Sequence, residues 1–319
     1  MTDISIIIAC LNGADTLAET LDSLVAQGSA LSWDIVLADN GSTDASAAVF
    51  AAFATQHPHI PMQLVDASAT RGKSHALNVG IRAAAGRSLL FCDADDTVAP
   101  GWLAAMSRAL ETHDFVAARF DIRALNPEWV LATRDSIQTT RLRRLPFEPF
   151  CPVAGGATLG FRRRVYEAVG GYDPAFAVSE DTDFCIRAHD AGFTLKLVQD
   201  AIYNYRLRAT PRAIRRQAHT YASFDALLRR RCAAAQPFLS HKPWTMWSAR
   251  TFRLLVEWIR HAVSLRQWDV AERAFFSKRL GTATGDFVGS LAFRVAPPVR
   301  AYSIRRSGAA SGDEAALQQ

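Results

Sequence analysis

The amino-acid sequence predicts an α/β fold, in which helices flank a mostly parallel sheet, followed by a helical C-terminal extension. Two observations predict this. Over the first two thirds of the chain, short β-branched or apolar runs alternate with helical patterns, which is typical of βαβ units. From about residue 207 the alternation stops, and Ala- and Arg-rich helical patterns follow.

The first region contains five segments with the composition and length of strands. Between them lie four Ala-rich stretches whose apolar residues are three and four positions apart, which predicts helices. Thr16 and Glu19 have the spacing of a capping box at the start of the first helix. The predicted strands cover 4–11, 33–39, 62–66, 88–93 and 114–120, and the predicted helices cover 15–27, 44–56, 73–85 and 99–112.

Length and composition agree with a folded protein of about two domains. The chain has 319 residues, of which 49% are hydrophobic, so it can bury a full core. The change in pattern divides it into a first domain over 1–206 and a basic helical region over 207–306. The final stretch, 307–319, is small and polar, and we expect it to be disordered.

The formal net charge of +5 conceals an asymmetry between the two regions. Residues 1–200 contain 16 Lys and Arg against 24 Asp and Glu, a balance of −8, and residues 201–319 contain 20 against 7, a balance of +13. Different partners are therefore expected for the two regions. Nucleic acid is not among them, because the basic residues lack the aromatic interleaving of a recognisable binding module.

Residues 251–268 form an amphipathic basic helix that has two interpretations. Leu254, Leu255, Trp258 and Ile259 share one face, with arginines at its margins. That face could pack on the first domain, or it could lie in the headgroup layer of an anionic membrane. The charge of the region favours peripheral membrane association in either case.

The sequence predicts a cytoplasmic protein, peripheral at the inner face of the membrane. Its first apolar run is too short for a signal segment or a membrane span, and no later run provides 18 uninterrupted apolar residues. The five cysteines are odd in number and scattered, which indicates reduced structural thiols.

An acidic cluster, Asp93, Asp95 and Asp96, ends the apolar run in "SLLFCDADDT". In an extended strand Asp93 and Asp95 project to the same side, which suits a divalent cation with oxygen ligands. Alternatively, the cluster is a polar turn in which Asp96 or Thr97 caps the next helix. This motif alone leaves both interpretations open.

Several further polar residues follow predicted strands. Because ligands bind at the carboxyl ends of strands in open α/β sheets, these residues could line one crevice. They are Asn12, Asp39, Asp66, Arg71 and Asp93.

A second acidic group, Glu180, Asp181 and Asp183, opens a helical pattern. Carboxylates at a helix N-terminus are stabilised by the helix dipole, so a purely structural role is also open. Before them, Gly155 and Gly156 allow a close approach of the backbone to a ligand.

Over residues 3–206 the chain resembles glycosyltransferase family 2. Four segments match in the family's order: "SIIIACLNGADTLAETLDSL", "DIVLADNGSTDAS", "RGKSHALNVGIRAAAGRSLLFCDADD" and "GGATLGFRRRVYEAVGGYDPAFAVSEDTDFCIRAHDAGF". The resemblance implies a GT-A fold, a Rossmann-like architecture that binds nucleotide sugars. It also implies that Ala9 and Asn12 line the nucleotide pocket, that Asp39 binds the base, and that Arg71 and Lys73 approach base or phosphate.

The resemblance also implies the reacting groups. It makes Asp93 and Asp95 the family's DXD motif, which binds the donor diphosphate through Mn²⁺ or Mg²⁺. It makes Asp181 the general base that deprotonates the acceptor hydroxyl, supported by Glu180, and it places Gly155 and Gly156 beside the acceptor. A metal stabilises the negative charge that develops on a departing nucleoside diphosphate.

Two departures from the family pattern qualify these expectations. Asn204 stands where many relatives have a His, so a third metal ligand is weaker or absent. The Gln-x-x-Arg-Trp motif of processive synthases is missing after residue 206, which favours addition of one sugar per encounter.

The sequence thus predicts an inverting, metal-dependent glycosyltransferase. Its donor would be a nucleotide diphosphate sugar, and its acceptor a hydroxyl of a glycan or lipid-linked cell-envelope molecule. A sugar nucleotidyltransferase is less consistent with "ACLNGADT", which lacks a basic Gly-rich phosphate loop after the first strand. A non-catalytic nucleotide-sugar-binding or membrane-docking scaffold subunit is the alternative from another class.

Overall fold

The computed structural model describes residues 3–28, 31–131, 138–232, 237–264 and 267–298. The expected disordered tail, 307–319, lies outside them. The strands in these ranges are β1 (Ile4–Cys10), β2 (Trp33–Asp39), β3 (Met62–Asp66), β4 (Ser88–Asp93), β5 (Thr97–Val98), β6 (Phe115–Asp121), β7 (Arg143–Arg144), β8 (Pro152–Val153), β9 (Leu159–Arg162) and β10 (Leu195–Asn204).

Ten α-helices lie in the described ranges. The first seven connect or flank the strands, and the last three form the C-terminal region. They are α1 (Leu17–Val25), α2 (Ser46–Gln56), α3 (Lys73–Ala83), α4 (Trp102–Thr112), α5 (Glu128–Leu131), α6 (Arg163–Val169), α7 (Glu180–Asp190), α8 (Pro211–Arg231), α9 (His241–Ser264) and α10 (Val270–Phe293).

Eight of the strands form one mixed sheet, in the order β3-β2-β1-β4-β9-β6-β10-β5. Strands β3, β2, β1 and β4 are parallel to one another, and β6 is parallel to β10. Strand β9 runs antiparallel between β4 and β6, and β5 pairs antiparallel with β10. The predicted mostly parallel sheet flanked by helices, with a helical extension, is confirmed.

Side chains of β1 alternate between two cores because successive residues of a strand point to opposite faces of the sheet. Ile6 and Ile8 pack on one face with residues of α1, α2 and α4. Ile7 packs on the other face with Leu77 and Ile81 of α3 and with residues of α7. The sheet is therefore covered on both faces, as expected where parallel strands are joined by helices.

A line of glycines joins the C-terminal helices α8 and α10. A Cβ atom added to Gly281, Gly285 or Gly289 would lie 2.2 to 2.3 Å from a backbone carbonyl oxygen of α8. Four-residue spacing places these glycines on one face of α10, so the two helix backbones approach closely.

Polar contacts attach helix α9 to α10. The Trp247 indole donates to the Ala283 carbonyl at 2.9 Å, and Arg250 pairs with the fully buried Asp286 at 2.5 Å. The exposed fractions of the four predicted apolar-face residues differ: Leu254 is 3% exposed, whereas Leu255, Trp258 and Ile259 are 50, 52 and 45% exposed. These last three side chains are not part of the core, so packing of the whole face on the first domain is wrong.

A buried ion network connects the C-terminal region to α7. Asp183, which is fully buried, accepts from Arg187 of its own helix at 2.7 Å and from Arg231 of α8 at 2.6 Å. Arg231 also pairs with Asp173 at 2.7 Å. Asp183 therefore has the structural role, whereas its neighbour Asp181 faces the cavity described below.

Candidate active site

The predicted nucleotide residues converge on the loop that follows β2. Asp39 accepts from the backbone N–H of Ser42 at 2.9 Å and from its hydroxyl at 2.6 Å. Ser42 Oγ in turn accepts from the backbone N–H of Asn12 at 2.9 Å, and Asn12 Oδ1 accepts from the N–H of Thr43 at 2.8 Å. Asn12 and Asp39 are thus held together at the carboxyl ends of β1 and β2.

Arg71, which lies just before α3, contacts the same loop. Its guanidinium donates to the carbonyls of Asn40 at 3.1 Å and Gly41 at 3.3 Å. Ala9 is half-buried in β1, in register with Asp93 on β4. Four predicted nucleotide residues therefore lie along one edge of the sheet.

The carboxylates at the end of β4 are compensated by cations of the chain itself. Lys73 Nζ lies 2.6 and 2.8 Å from the two oxygens of Asp93. Arg208 Nη1 lies 3.0 Å from Asp95 Oδ2. Each of the two DXD aspartates thus has a basic partner from another element.

Asp96 is buried, and its carboxylate is hydrogen-bonded to a hydroxyl and a backbone N–H. Its carboxylate accepts from the Tyr203 hydroxyl at 3.0 Å and from the backbone N–H of Arg206 at 2.6 Å, and the Tyr203 oxygen accepts from the N–H of Asp93 at 2.9 Å. Burial, together with the charges of Asp93 and Asp95, raises the pKa of Asp96 to about 8. The expected helix cap is wrong: α4 begins after Gly101 without a side-chain cap hydrogen bond, and the Asp96 carboxylate binds Tyr203 and the Arg206 N–H instead.

Helix α1 fixes the turn that contains these carboxylates. Thr16 Oγ1 donates to the Ala94 carbonyl at 2.9 Å, and Thr20 Oγ1 donates to the Asp96 carbonyl at 2.7 Å. The predicted capping box is therefore wrong: Thr16 makes no cap hydrogen bond to its own helix, and Glu19 pairs with Arg206 at 2.6 Å. Thr16 and Glu19 both bind residues that are distant in the sequence instead of capping the helix.

The second acidic group lies at the N-terminus of α7 and faces the first. Asp181 Oδ2 accepts from the backbone N–H of Gly156 at 2.8 Å, and its Oδ1 accepts from the N–H of Thr182 at 2.6 Å. A Cβ at Gly156 would lie 3.1 Å from Asp181 Cβ, so the close approach requires a small residue there. These bonds fix the orientation of the Asp181 carboxylate.

Lys73 connects the two acidic groups. Its ammonium lies 3.8 Å from Glu180 Oε1 and contacts Asp93 at the same time. Burial alone would lower the pKa of Lys73, but the carboxylates of Asp93 and Glu180 raise it well above its usual value. Burial and the charge of Asp181 raise the pKa of Glu180 to about 7, against the opposing effect of Lys73. Glu180 thus titrates near neutral pH.

A cavity of about 480 Å³ opens between these groups and the C-terminal helices. One wall is formed by charged residues of the sheet region, namely Lys73, Asp93, Glu180 and Asp181, with Gly155 and Gly156. The opposite wall comes from α8 and α10 and includes Gln217, Tyr221, Lys278 and Thr282. Tyr221 is 46% exposed, so its ring is accessible to a molecule in the cavity.

The structure groups the predicted site residues in two places. Asn12, Asp39 and Arg71 meet at the loop after β2, and the residues of the charged wall meet at the cavity. Asn204 lies at the end of β10, where its amide donates to Thr97 Oγ1 at 3.0 Å. Whether it contributes a third metal ligand stays a prediction.

Sequence reasoning did not identify four residues near the carboxylates. Tyr203, Arg206 and Arg208 lie in "YNYRLR", at and just after the end of β10, and they bind the acidic turn from more than 100 residues away. Tyr221 lies on the cavity wall. For Arg206 and Arg208, the sequence did offer a signal, because two arginines at the end of an apolar run could pair with carboxylates at other strand ends.

The carboxylates of the acidic turn fit a hard divalent cation. One oxygen each from Asp93, Asp95 and Asp96 lies within 4.8 Å of the others. Carboxylate oxygens are the ligands that Mg²⁺ and Mn²⁺ prefer. Asp93 and Asp95 are only half-buried, so a cation could reach them from the crevice.

Comparison with known protein families identifies the chain. The model of the family described as "Glycosyl transferase family 2" matches residues 5–170, and that of "Glycosyl transferase family group 2" matches residues 89–288. The chain belongs to glycosyltransferase family 2.

Curated relatives of this family 2 chain include two bacterial proteins. It is 33% identical over 124 residues to the succinoglycan biosynthesis protein ExoO of Rhizobium meliloti, covering 39% of this chain and 33% of the relative. It is 34% identical over 148 residues to the uncharacterized glycosyltransferase YibD of Escherichia coli, covering 44 and 39%. The chain spans about a third to two fifths of the length of these relatives.

A longer match joins the family 2 chain to a mycobacterial protein. It is 32% identical over 189 residues to the PGL/p-HBAD biosynthesis glycosyltransferase of Mycobacterium bovis, covering 57% of this chain and 68% of the relative.

Solved structures agree with the fold of the family 2 chain. The mannosyltransferase PcManGT from Pyrobaculum calidifontis, in complex with GDP-Man and Mn²⁺, matches with a TM-score of 0.60 at 20% identity, over 91% of this chain and 86% of that one. S. aureus TarS 1–349 with UDP matches with a TM-score of 0.51 at 14% identity, over 91% of both chains. At these identities the likeness shows a GT-A fold.

Proposed function

We propose that this chain transfers a sugar from a nucleotide diphosphate sugar to a hydroxyl acceptor, with inversion at the anomeric carbon. The observation that supports the proposal most is the cavity. It brings Asp93, at the end of β4, and Asp181, at the start of α7, into one space with the C-terminal helices as its far wall. A donor site and a base therefore face a common volume.

The donor would bind across the carboxyl ends of β2, β1 and β4. Asp39 and Asp93 end strands that are two positions apart in the sheet, a separation of about 10 Å. This span suits a nucleoside with its base at Asp39 and its diphosphate at Asp93. Asn12 and Arg71 would border the base, with Ala9 between the two strand ends.

Asp93 and Asp95 would hold Mn²⁺ or Mg²⁺, with Asn204 as a weak additional oxygen ligand. The bound cation supplies charge stabilisation to the departing diphosphate. The structure of PcManGT in complex with GDP-Man and Mn²⁺ supports this assignment. Lys73 and Arg208, which pair with these aspartates in the structure, would be close enough to neutralise phosphate oxygens as well.

Asp181 would act as the general base. The N–H groups of Gly156 and Thr182 orient its carboxylate, and the cavity gives an acceptor hydroxyl access to it. The base takes the hydroxyl proton as the acceptor oxygen attacks the anomeric carbon and the bond to the diphosphate breaks. A single displacement of this kind inverts the anomeric configuration. Glu180, paired with Lys73, would position the donor side of the cavity.

The acceptor would enter beside Gly155 and Gly156, against the wall formed by α8 and α10. We propose a glycan or lipid-linked envelope molecule that receives one sugar per encounter. The succinoglycan and PGL/p-HBAD names of two relatives support that class. In this arrangement residues 1–206 form the donor domain and residues 207–306 complete the acceptor side.

The test is turnover of nucleotide sugars. The full chain is incubated with UDP-, GDP- and dTDP-sugars, with Mn²⁺, Mg²⁺ or EDTA, and released nucleoside diphosphate is measured with and without candidate glycolipid acceptors. We expect release with one nucleotide class, dependent on metal, and a product of inverted configuration by NMR. Binding of a nucleotide sugar without release under any condition would favour the scaffold alternative.

A further inference from the structure

The exposed side of α9 combines apolar and basic residues in separate stripes. Phe252, Leu255 and Ile259 recur at helical spacing, with Trp258 beside them, and they are between 45 and 64% exposed. At about 100° per residue, the exposed Lys242 and Arg260 share a second line, roughly 100° around the helix from Phe252 and Ile259. We call this surface the α9 outer face.

The outer face has almost no negative charge. Glu257 is the single acidic residue of α9, and it pairs with Arg279 of α10 at 2.6 Å. The basic side of the face is therefore not opposed by acids of its own helix. A partner complementary to the α9 outer face must carry negative charge next to an apolar region.

Exposed apolar side chains also occur on α10, beside the first half of α9. Phe287 stacks on Trp247 of α9 with ring centroids 5.2 Å apart, and it remains 38% exposed. Val288 and Leu291, next along α10, are 44 and 49% exposed. An exposed apolar surface of this extent, spread over two helices, marks an interaction site rather than scattered surface residues.

We propose that the α9 outer face docks on an anionic lipid surface. Side chains such as Trp258 and Leu255 would enter the boundary between headgroups and acyl chains, and the basic residues would contact anionic headgroups. Among the described residues no helix is long and apolar enough to cross a bilayer. An amphipathic helix that docks in this way lies in the plane of the interface.

Docking would bring the cavity close to the membrane. Helix α10 contributes Lys278 and Thr282 to the cavity, and it packs against α9 through Arg279 and Asp286. Two helices, α10 and α9, thus separate the cavity from the lipid surface, a distance of roughly 20 Å. This consequence rests on the proposed function: it makes an acceptor anchored in that surface the natural substrate class.

Vesicle co-sedimentation of the full chain, without nucleotide or acceptor, tests the docking independently of turnover. Vesicles of phosphatidylcholine alone are compared with vesicles that also contain phosphatidylglycerol, at low and high sodium chloride. We expect binding to the mixed vesicles only, and release at high salt because counterions screen the attraction. Equal binding to both vesicles, or none to the mixed vesicles at low salt, would overturn the proposal.

Two pairs of substitutions separate the apolar from the basic contribution. Lys242→Gln with Arg260→Gln should weaken partitioning roughly 30-fold, and Leu255→Gln with Trp258→Gln should weaken it by at least about tenfold. The matched controls, Arg108→Gln with Arg123→Gln and the single change Leu64→Gln, alter exposed residues of the sheet region and should bind as wild type.

Circular dichroism checks that each variant is folded, and light scattering checks its mass. A dimer that the Leu255→Gln, Trp258→Gln pair converts to a monomer, with unchanged vesicle binding, would assign the face to a second copy of the chain and overturn the proposal. Loss of vesicle binding with normal nucleotide release would leave the proposed function intact. Normal vesicle binding without any turnover would support the docking and contradict the proposed function.

Discussion

The two walls of the cavity differ in what holds them in place and in what they offer a substrate. The sheet wall consists of paired charges: Lys73 between Asp93 and Glu180, and an Asp181 carboxylate fixed by two backbone N–H groups. The helical wall offers a phenol, an amide, an ammonium and a hydroxyl, from Tyr221, Gln217, Lys278 and Thr282.

This difference suggests a division of labour. Groups that take part in chemistry must be held with correct charge and orientation before the substrate arrives, and the sheet wall is organised in that way. The helical wall is attached to the sheet region by the Asp183 network and can vary its side chains without disturbing the carboxylates. We therefore expect reaction rate to depend on the first wall and acceptor recognition on the second.

The largest expected effect tests the sheet wall. Asp181→Asn keeps the size of the side chain and removes its ability to accept a proton, so kcat should fall by about 10²- to 10⁴-fold with nucleotide affinity nearly unchanged. Steady-state kinetics and a nucleotide titration measure the two quantities. Asp190→Asn, an exposed change at the other end of α7, is the matched control. Turnover equal to the control would assign Asp181 to capping the helix.

The next effect concerns the attachment between the walls. Asp183→Asn leaves Arg187 and Arg231 without their buried counter-charge, and the free energy of unfolding should fall by about 3 kcal/mol. Denaturant unfolding measures it, again against Asp190→Asn. The Asp181→Asn variant should thus lose turnover rate, whereas the Asp183→Asn variant should lose stability. Wild-type stability in Asp183→Asn would show that the network does not join the regions energetically.

A smaller effect should appear in metal-assisted nucleotide binding. Wild-type protein should be stabilised more by its nucleoside diphosphate with Mn²⁺ than with EDTA, and Asp95→Asn should remove that difference. We expect a loss of about 10²-fold in nucleotide affinity with Mn²⁺, since a metal ligand is removed. Thermal unfolding scans measure the shift, and Asp22→Asn, on the exposed side of α1, is the control. Identical scans with Mn²⁺ and EDTA in the wild type would contradict the metal assignment.

The smallest effect tests the helical wall. If the Tyr221 ring contacts the acceptor, Tyr221→Ala should raise the acceptor KM roughly tenfold, whereas Tyr221→Phe, which keeps the ring, should restore most of the affinity. Slow hydrolysis of the donor without acceptor should be the same in both variants. If Tyr221→Ala reduced donor hydrolysis as much as it weakened acceptor binding, Tyr221 would act on the reacting groups. The two walls would then not differ in function.

Local patterns were sufficient for the sheet region. The five predicted strands begin and end within one residue of β1, β2, β3, β4 and β6, because alternation and apolar runs depend on neighbouring residues. The same patterns placed Asp39 and Asp93 at strand ends, which is where the structure has them. The roles assigned to these residues came from the family resemblance, and they stay predictions.

The compensation of the acidic turn could not be predicted in this way. Arg208 reaches Asp95 across 113 positions, and Thr16 leaves its expected cap to bind Ala94 across 78. Such pairs depend on the register of strands and the placement of loops, and a capping-box spacing contains no information about a competing partner elsewhere in the chain.

By itself, then, the sequence determined the alternation of strands and helices, the clustering of carboxylates at strand ends and the excess positive charge after residue 200. The tertiary structure decided which cations neutralise Asp93 and Asp95, and that α8 and α10 form the far wall of the cavity. It also decided that three of the four side chains on the predicted apolar face of α9 remain exposed. Helical periodicity shows that a helix has an apolar face but not what that face meets, because burial is a property of packed surfaces and not of any one segment.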